Sequence, residues 1–279
     1  MESLRPGASL TSFEISLLAD AAFGILIIVS KWLYARFASR RPSYRRGMVG
    51  LFLASWVFSN VGYTHYVRDR DCIFLGVSSA LIFLVLVLEL NQFWRVGLVG
   101  ADAQISKGID YVSALNMASN SLDFLGIGAS KLTEQLRPFE KAVNRCDSLG
   151  RPLRFLLSTP ENADLEEIAR KGGVDRDAYR SRVRESLRVI ANLRNDRSKN
   201  IEVRFYDKIP AFRLMFIDDE ICLMSHYVLG KGDGSQLPQL HIIRKSGSQD
   251  VESLYYGFHE YFENIWERSD HWDFRMYLE

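Results

Sequence analysis

The chain has 279 residues, a formal net charge of +1 and 47% hydrophobic residues. Its three cysteines cannot all pair, which excludes a disulfide framework as the basis of the fold. The averages conceal two different halves, because the N-terminal part contains three apolar runs and the rest is charged and mixed. The second part, about 180 residues, has the length of one soluble domain.

The three apolar runs cover residues 15–37, 48–67 and 72–90. Each is close to the roughly 20 residues that a helix needs to cross about 30 Å of hydrocarbon. We therefore expect an α-helical transmembrane region over residues 1–98, with three spans, or with two if the first run lies on the membrane surface. A buried helical hairpin in a soluble protein is the alternative. A cleaved signal peptide is not expected, because the first run has neither a basic stretch before it nor a small-residue cleavage site after it.

Arginines are concentrated in the link between the first two runs, which has no acidic residue and contains Arg36, Arg40, Arg41, Arg45 and Arg46. The link between the second and third runs, residues 68–71, is balanced in charge. Loops rich in Lys and Arg stay on the cytoplasmic side of a membrane. We therefore expect a multi-pass protein of the bacterial inner membrane with a cytoplasmic C-terminal domain.

The apolar runs contain the ionisable residues Asp20, Lys31 and Glu89. Lys31 and Glu89 both lie near the predicted inner ends of their spans, where they either form an ion pair or extend separately to the headgroups. Asp20 lies near an outer end, either at the interface or lining a pore. Gly76 and Ala80 give the third run a small-residue stripe that suits close helix contact.

The stretch over residues 99–120 has helical spacing, with apolar residues at intervals of three and four: Ile105, Ile109, Val112 and Leu115. The spacing predicts a linker helix that carries the chain away from the membrane. Such a helix also offers a surface for self-association, and we therefore expect a homo-oligomer.

Residues 121–279 alternate between strand and helix patterns, which predicts an α/β domain with a mixed sheet. The predicted strands are 121–130, 150–160, 200–207, 212–218, 221–229 and 240–245, and the predicted helices are 131–146, 175–195 and 251–269. A crossover helix between the first two strands favours parallel pairing. The short "DDE" link favours a tight hairpin between the fourth and fifth.

The long predicted helix over 175–195 carries arginines on the faces that its apolar stripe leaves free, among them Arg180, Arg184 and Arg188. Three interpretations are open for these side chains: a solvated helix face, contact with nucleic-acid phosphates, or contact with anionic lipids of the inner leaflet. Aromatic residues are few on this helix, so stacking on RNA bases is not indicated.

The order of these elements resembles that of one phospholipase D-like domain over residues 119–268. The motif of that family is His-x-Lys-x4-Asp, followed by a hairpin and a small residue. On this chain the His position holds Ala211, the Lys position holds Arg213 and the Asp position holds Asp218. The small residue falls on Ser225. The hairpin matches the family, and the nucleophile position does not.

The resemblance implies phospho-histidine chemistry, for which Ala211 has no nucleophile. An arginine at the lysine position still suits bidentate phosphate binding. The candidate anion-binding residues are therefore Arg213, Asp218, Ser225 and His226, and no catalytic residue is assigned. An enzyme would need His226 as a substitute nucleophile, together with the second motif that the family requires. A purely structural role for these residues is the other alternative.

Neither a cofactor nor a metal ion is expected from the sequence. No glycine-rich phosphate loop precedes a Lys-Ser/Thr pair, and "GIGAS" at residues 126–130 is too short for a dinucleotide fingerprint. His226 and His241 are the only histidines that a hairpin would bring together, and a third metal ligand is lacking.

A multi-span anchor joined to a degenerate cytosolic domain resembles the transmembrane effectors of bacterial antiphage systems, including retron-associated and cyclic-nucleotide-linked types. The resemblance implies a toxin that is held inactive until infection and then disrupts the inner membrane, which kills the infected cell (abortive infection). In a retron the partner would be a reverse transcriptase with its RNA–DNA product. Two alternatives are open: a membrane-bound phospholipase D-like hydrolase or transferase of lipid headgroups, and a scaffold without toxicity.

Overall fold

The computed structural model of the chain describes residues 90–276, apart from residues 92, 174, 176, 197–198, 209, 228–233 and 246–252. The chain divides into two units, Met1–Ala80 and Leu81–Glu279. All of the described residues lie in the second unit. The fold below is therefore that of the C-terminal part of the chain.

The predicted membrane spans lie outside the described residues, except for the last residue of the third, and so do the ionisable Asp20, Lys31 and Glu89. Within the part of the chain that the structure describes, no helix is both long enough and apolar enough to cross a membrane. The spans and their orientation stay predictions.

A mixed sheet of eight strands forms the centre of the described fold. The strands are β1 Leu98–Asp102, β2 Leu122–Gly126, β3 Leu153–Ser158, β4 Ile201–Tyr206, β5 Phe212–Ile217, β6 Ile221–His226, β7 Gln239–Ile243 and β8 Asp270–His271. Their order in the sheet is β1-β7-β6-β5-β2-β3-β4-β8. β2, β3 and β4 are parallel neighbours, and the other pairings are antiparallel. The predicted parallel pair and the predicted hairpin are both confirmed.

Helices cover the two faces of the sheet unequally. Those in the described residues are α1 Tyr111–Met117, α2 Ser130–Thr133, α3 Leu136–Asp147, α4 Asp164–Lys171, α5 Ala178–Asp196 and α6 Leu254–Arg268. Helices α1 to α5 contribute to one buried apolar cluster, and α6 contributes to a second. Because alternate residues of a strand point to opposite faces, the two clusters lie on opposite sides of the sheet.

Two of the three predicted helices of the C-terminal part are confirmed as single helices, whereas the third, over 131–146, is divided into α2 and α3. The predicted arginine-rich helix is α5, whose apolar stripe is buried through Leu187 and Ile190. The predicted closing helix is α6, whose aromatic stripe is buried through Phe262 and Trp266. Both helices form because apolar residues three and four apart produce one continuous face that can be removed from water.

The predicted linker helix over 99–120 is wrong. Leu98–Asp102 instead forms β1, which pairs antiparallel with β7 at the edge of the sheet. A 3-10 turn at Ile105–Lys107 and the short helix α1 follow it. The helical spacing was misleading because Ile105 and Ile109 are buried from turns rather than from one helix face. Pairing with the otherwise open edge of β7 gives the β1 backbone its hydrogen bonds.

An ion triad joins the sheet to α6, and of its three members Asp123 is buried while Arg154 and Glu263 are partly exposed. The Arg154 guanidinium donates to both carboxylate oxygens of Asp123, at 2.9 and 2.6 Å, and to both oxygens of Glu263, at 3.0 and 2.7 Å. It also lies over the rings of Phe262 and Trp266. Burial raises the pKa of Asp123, and the bonds from Arg154 act in the opposite direction. The charge of Asp123 therefore depends on its arginine partner.

We expect Arg154→Met to lower the free energy of unfolding by about 3–5 kcal/mol, because it leaves the Asp123 carboxylate buried without its counter-ion. The matched control is Arg151→Met. Arg151 forms a 2.7 Å ion pair with Asp219 at the surface, and surface pairs contribute about 1 kcal/mol or less. Urea denaturation of the purified chain measures both values. Equal losses in the two variants would contradict the structural role of the triad.

Candidate functional site

Several strand ends meet at one edge of the sheet, which we call the carboxyl edge. The parallel strands β2, β3 and β4 end there at Gly126, Ser158 and Tyr206. β5 begins and β6 ends at the same edge, because β5 is antiparallel to β2 and β6 is antiparallel to β5. Open α/β sheets bind their ligands outside the carboxyl ends of the parallel strands. The carboxyl edge is therefore the place where a ligand site is expected.

Arg213 on β5 is buried at this edge, with 7% of the residue exposed. Its Nε and Nη2 donate to the hydroxyl oxygen of Ser225 on β6, at 3.0 and 2.8 Å. Nη2 also donates to the carbonyl oxygen of Gly234 at 3.1 Å, and Nη1 donates to the hydroxyl of Tyr111. The structure thus brings together Arg213 and Ser225, two of the four candidate residues named from the sequence.

Among the residues that the structure describes, the hydrogen-bond partners of the Arg213 guanidinium are all neutral, and no Asp or Glu is in ion-pair contact with it. The rings of Tyr111 and Tyr227 lie 5.3 and 5.9 Å from its Cζ, where their π faces offset part of the charge. A buried charge that lacks a counter-ion is costly. The described surroundings therefore suit an anion as a further partner.

Ala211, at the nucleophile position of the motif, lies exposed before β5 and accepts a backbone hydrogen bond from Tyr227 at 3.1 Å. His226 pairs in register with Phe212, whereas Arg213 pairs with Ser225. Side chains of successive strand residues point to opposite faces. His226 is therefore an exposed residue on the face opposite Arg213, which corrects its grouping with the anion-binding residues.

Asp218 lies at the other end of β5, in the hairpin turn, where its φ of 56° is in the left-handed region. Its carboxylate accepts backbone hydrogen bonds from Ser119, Asn120 and Ser121, at 2.6 to 3.1 Å. These bonds attach the β5–β6 hairpin to the segment before β2. Asp218 is thus a structural acceptor, and its predicted place beside Arg213 is corrected.

Two of the three α5 arginines named from the sequence form ion pairs with acidic residues of the same domain. Arg180 pairs with Glu166 at 2.7 Å, and Arg184 pairs with Glu161 at 3.0 Å. Arg188 is exposed on the same helix. The acidic partners belong to α4 and the loop before it, so part of the positive charge seen in the sequence is neutralised within the fold.

A second polar cluster lies next to Arg213 on the same face of the sheet. His241 on β7 is fully buried, and its Nε2 lies 2.6 Å from Asp102 Oδ2. His241 pairs in register with Leu223, a residue that belongs to the cluster under α1 to α5. The predicted proximity of His226 and His241 is thus not found. The described residues also contain no group of three side chains arranged to hold a metal ion.

Tyr111, Gly234 and Asp102 were not among the candidate residues predicted from the sequence. Tyr111 and Asp102 lie in the stretch predicted as a linker helix, and no recognisable motif marks Gly234. Asp102 is the last residue of β1. It could have been predicted as a site residue only if β1 had been predicted first.

A family model described as "Domain of unknown function (DUF5919)" matches residues 103–272. A search of curated proteins found no matching sequence. Among solved structures, the chain is similar to Nuc, a phospholipase D family member from Salmonella typhimurium. The identity is 13%, over 58% of this chain and 88% of that chain, with a TM-score of 0.32.

Two further solved structures are similar to the chain. One is phosphatidylserine synthase from Haemophilus influenzae Rd KW20, with 11% identity over 60% of this chain and a TM-score of 0.43; the match spans 37% of that enzyme. The other is TrmBL2, an archaeal chromatin protein described as showing a novel mode of DNA binding. Its identity is 17%, over 80% of this chain and 69% of that chain, with a TM-score of 0.37.

We expect Asp218→Ala to lower the free energy of unfolding by about 1–2 kcal/mol, because the backbone N–H groups of Ser119, Asn120 and Ser121 lose their acceptor. Asp219→Ala is the matched control, since Asp219 has a similar φ of 53° and its carboxylate meets only the surface partner Arg151 in an ion pair. Urea denaturation measures the difference. A control variant that loses as much stability as Asp218→Ala would contradict the proposed clamp.

Proposed function

The chain belongs to the DUF5919 family, and we propose that it is a membrane-embedded effector of a bacterial antiphage system whose α/β domain binds an anion. The observation that carries the proposal is the environment of Arg213. Its guanidinium is buried at the carboxyl edge and has only neutral hydrogen-bond partners among the described residues. An anionic ligand there would act as the signal, and the N-terminal apolar region would produce the output.

Charge supports an anion as the ligand of this site. A carboxylate or phosphate can accept two parallel hydrogen bonds from a guanidinium, which are stronger than bonds to neutral acceptors. The two neighbouring tyrosine rings offset the charge of the guanidinium less than a bound anion would. A phosphate-type group would therefore gain more from Arg213 than the neutral acceptors that now contact it.

The same residues support binding rather than hydrolysis. A covalent phosphodiesterase of the phospholipase D type needs an imidazole nucleophile, and the corresponding position holds Ala211. His226 is exposed on the opposite face of the sheet. The site thus retains a group that can hold a phosphate and lacks the group that would attack it.

The output is proposed from the sequence of the N-terminal half. Three consecutive apolar runs contain Asp20, Lys31 and Glu89, and ionisable groups in a membrane are costly and usually functional. We propose an inner-membrane homo-oligomer with a cytoplasmic α/β domain that disrupts the membrane when triggered. A partner such as a reverse transcriptase with its RNA–DNA product would hold the effector inactive.

The anion site is tested by titrating the purified chain with inorganic phosphate in a calorimeter. We expect Arg213→Met to weaken binding at least about tenfold, because it removes the charged donors. Arg204→Met is the matched control: Arg204 is a strand arginine that donates to the Trp266 carbonyl and lies over the Trp266 ring. Unchanged phosphate affinity in Arg213→Met would contradict the proposal.

The enzyme alternative has its own measurement. Hydrolysis of bis(p-nitrophenyl) phosphate by the purified chain, lost in His226→Ala, would replace the binding function with a phosphodiesterase. We expect no hydrolysis in either protein, because His226 and Arg213 face opposite sides of the sheet.

The membrane output is tested by expressing the chain in bacteria without a partner. We expect loss of membrane potential and uptake of propidium iodide before lysis, and we expect Gly76→Leu to weaken both, because close packing of spans depends on small residues. Gly257→Leu is the control, since a side chain at Gly257 on α6 meets open space. Growth arrest with an intact membrane potential would assign toxicity to a different mechanism.

A further inference from the structure

The segment over residues 102–111, which we call the strap, crosses the strand ends next to Arg213. It links β1 to α1 and is attached to the β7 region along its length. Ile105 N–H donates to the Leu237 carbonyl at 3.1 Å, and the Gln239 side-chain amide donates to the Ile109 carbonyl at 3.0 Å. The strap is therefore attached at the start of β7, and its last residue, Tyr111, reaches Arg213 on β5.

The N-terminal end of the strap is firmly held. Asp102 Oδ2 lies 2.6 Å from the buried His241 Nε2 and accepts the backbone N–H of Ile109 at 2.8 Å. Gly108 lies directly against this carboxylate, since a Cβ atom on Gly108 would be 1.8 Å from Asp102 Cγ. This end contains a charge-assisted contact and close packing, neither of which involves Arg213.

At its C-terminal end the strap contacts Arg213 directly. Tyr111 accepts a hydrogen bond from Nη1, and the Gly234 carbonyl accepts one from Nη2. The Nε–Nη2 edge of the guanidinium faces Ser225. The Nη1–Nη2 edge is thus the one available for a bidentate anion, and it now carries the strap and the Gly234 turn.

We propose that an anion at Arg213 replaces the Tyr111 hydroxyl and the Gly234 carbonyl as acceptors and so releases the strap at its C-terminal end. This inference rests on the anion-binding function proposed above. Two neutral acceptors are exchanged for one charged, bidentate acceptor, which adds the attraction between opposite charges to the hydrogen bonds that the guanidinium already donates. No covalent bond changes. The strap has two states, attached and released, and the ligand shifts the equilibrium between them.

Release of the strap at Arg213 would also affect β1, the first strand of the domain. The Gly234 turn, at residues 234–236, leads to Leu237, whose carbonyl holds the Ile105 amide. The strap follows β1 directly in the chain, and β1 is an edge strand that pairs with β7 alone. Loss of the Tyr111 and Leu237 contacts would loosen the connection through which the α/β domain joins the preceding chain. Ligand binding at the carboxyl edge would in this way reach the N-terminal side of the domain.

Coupling of this kind is reciprocal. If the anion and the strap compete for Arg213, a variant that weakens the contact between the strap and Arg213 must bind the anion more tightly. We expect Tyr111→Phe, which keeps the ring and removes the hydroxyl, to bind inorganic phosphate at least about tenfold more tightly, the effect of one hydrogen bond to a charged group. Tyr206→Phe is the matched control, because the buried Tyr206 hydroxyl donates to the Gly126 carbonyl at 2.8 Å.

Hydrogen exchange on the purified chain provides the second measurement. Phosphate should make the Ile105 amide exchange at least about threefold faster, since its acceptor Leu237 is released. The Leu153 amide, which donates to the Asn200 carbonyl at 3.0 Å, should not change. Tyr111→Phe should accelerate exchange at Ile105 even without phosphate.

The outcomes separate the two proposals. Failure of phosphate to bind, or binding that survives Arg213→Met, would overturn the anion-binding function and the strap mechanism with it. Phosphate binding that requires Arg213, with unchanged exchange at Ile105 and no tightening in Tyr111→Phe, would overturn the strap mechanism alone. Equal tightening in Tyr206→Phe would also overturn it, because the effect would not be specific to the strap.

Discussion

A buried guanidinium must have its charge compensated, and the part of the fold around the carboxyl edge is arranged about that requirement at Arg213. Strands β5 and β6 contribute the arginine and its serine partner, while α1 and the Gly234 turn contribute the remaining acceptors. These elements come from distant parts of the chain. A single side chain therefore links the hairpin, the strap and the turn before β7, and a change at that side chain affects all three.

Two arginines of the sheet, the partly exposed Arg154 and the buried Arg213, show how different compensation leads to different roles. Arg154 faces two carboxylates and two aromatic rings, and it joins the sheet to α6. Arg213 has neutral acceptors and two tyrosine rings in the described structure. The first is satisfied internally and suits a structural role. Arg213 has no acidic partner among the described residues, and its charge is the reason why the proposed anion site is placed there.

The motif of residues 211–218 now has a physical interpretation for each of its three positions. Ala211 has no nucleophilic group, Arg213 carries the charge of the proposed phosphate site, and Asp218 clamps the hairpin to the segment before β2. Retention of the charged and structural residues without the nucleophile is consistent with a domain that binds and does not cleave. The strap adds a means by which binding can be transmitted.

The sequence by itself determined most elements of the C-terminal part, because their signals are local. Apolar spacing predicted α5 and α6, short apolar runs predicted the inner strands, and the "DDE" link predicted the β5–β6 hairpin. The tertiary structure alone decided the role of residues 98–111, since an edge strand and a strap are stabilised by partners more than a hundred residues away. It also decided which candidate residues share the site: strand register places Arg213 with Ser225 and His226 on the opposite face. Side-chain direction in a sheet alternates with each residue, so the register of pairing, a long-range property, selected the members of the site.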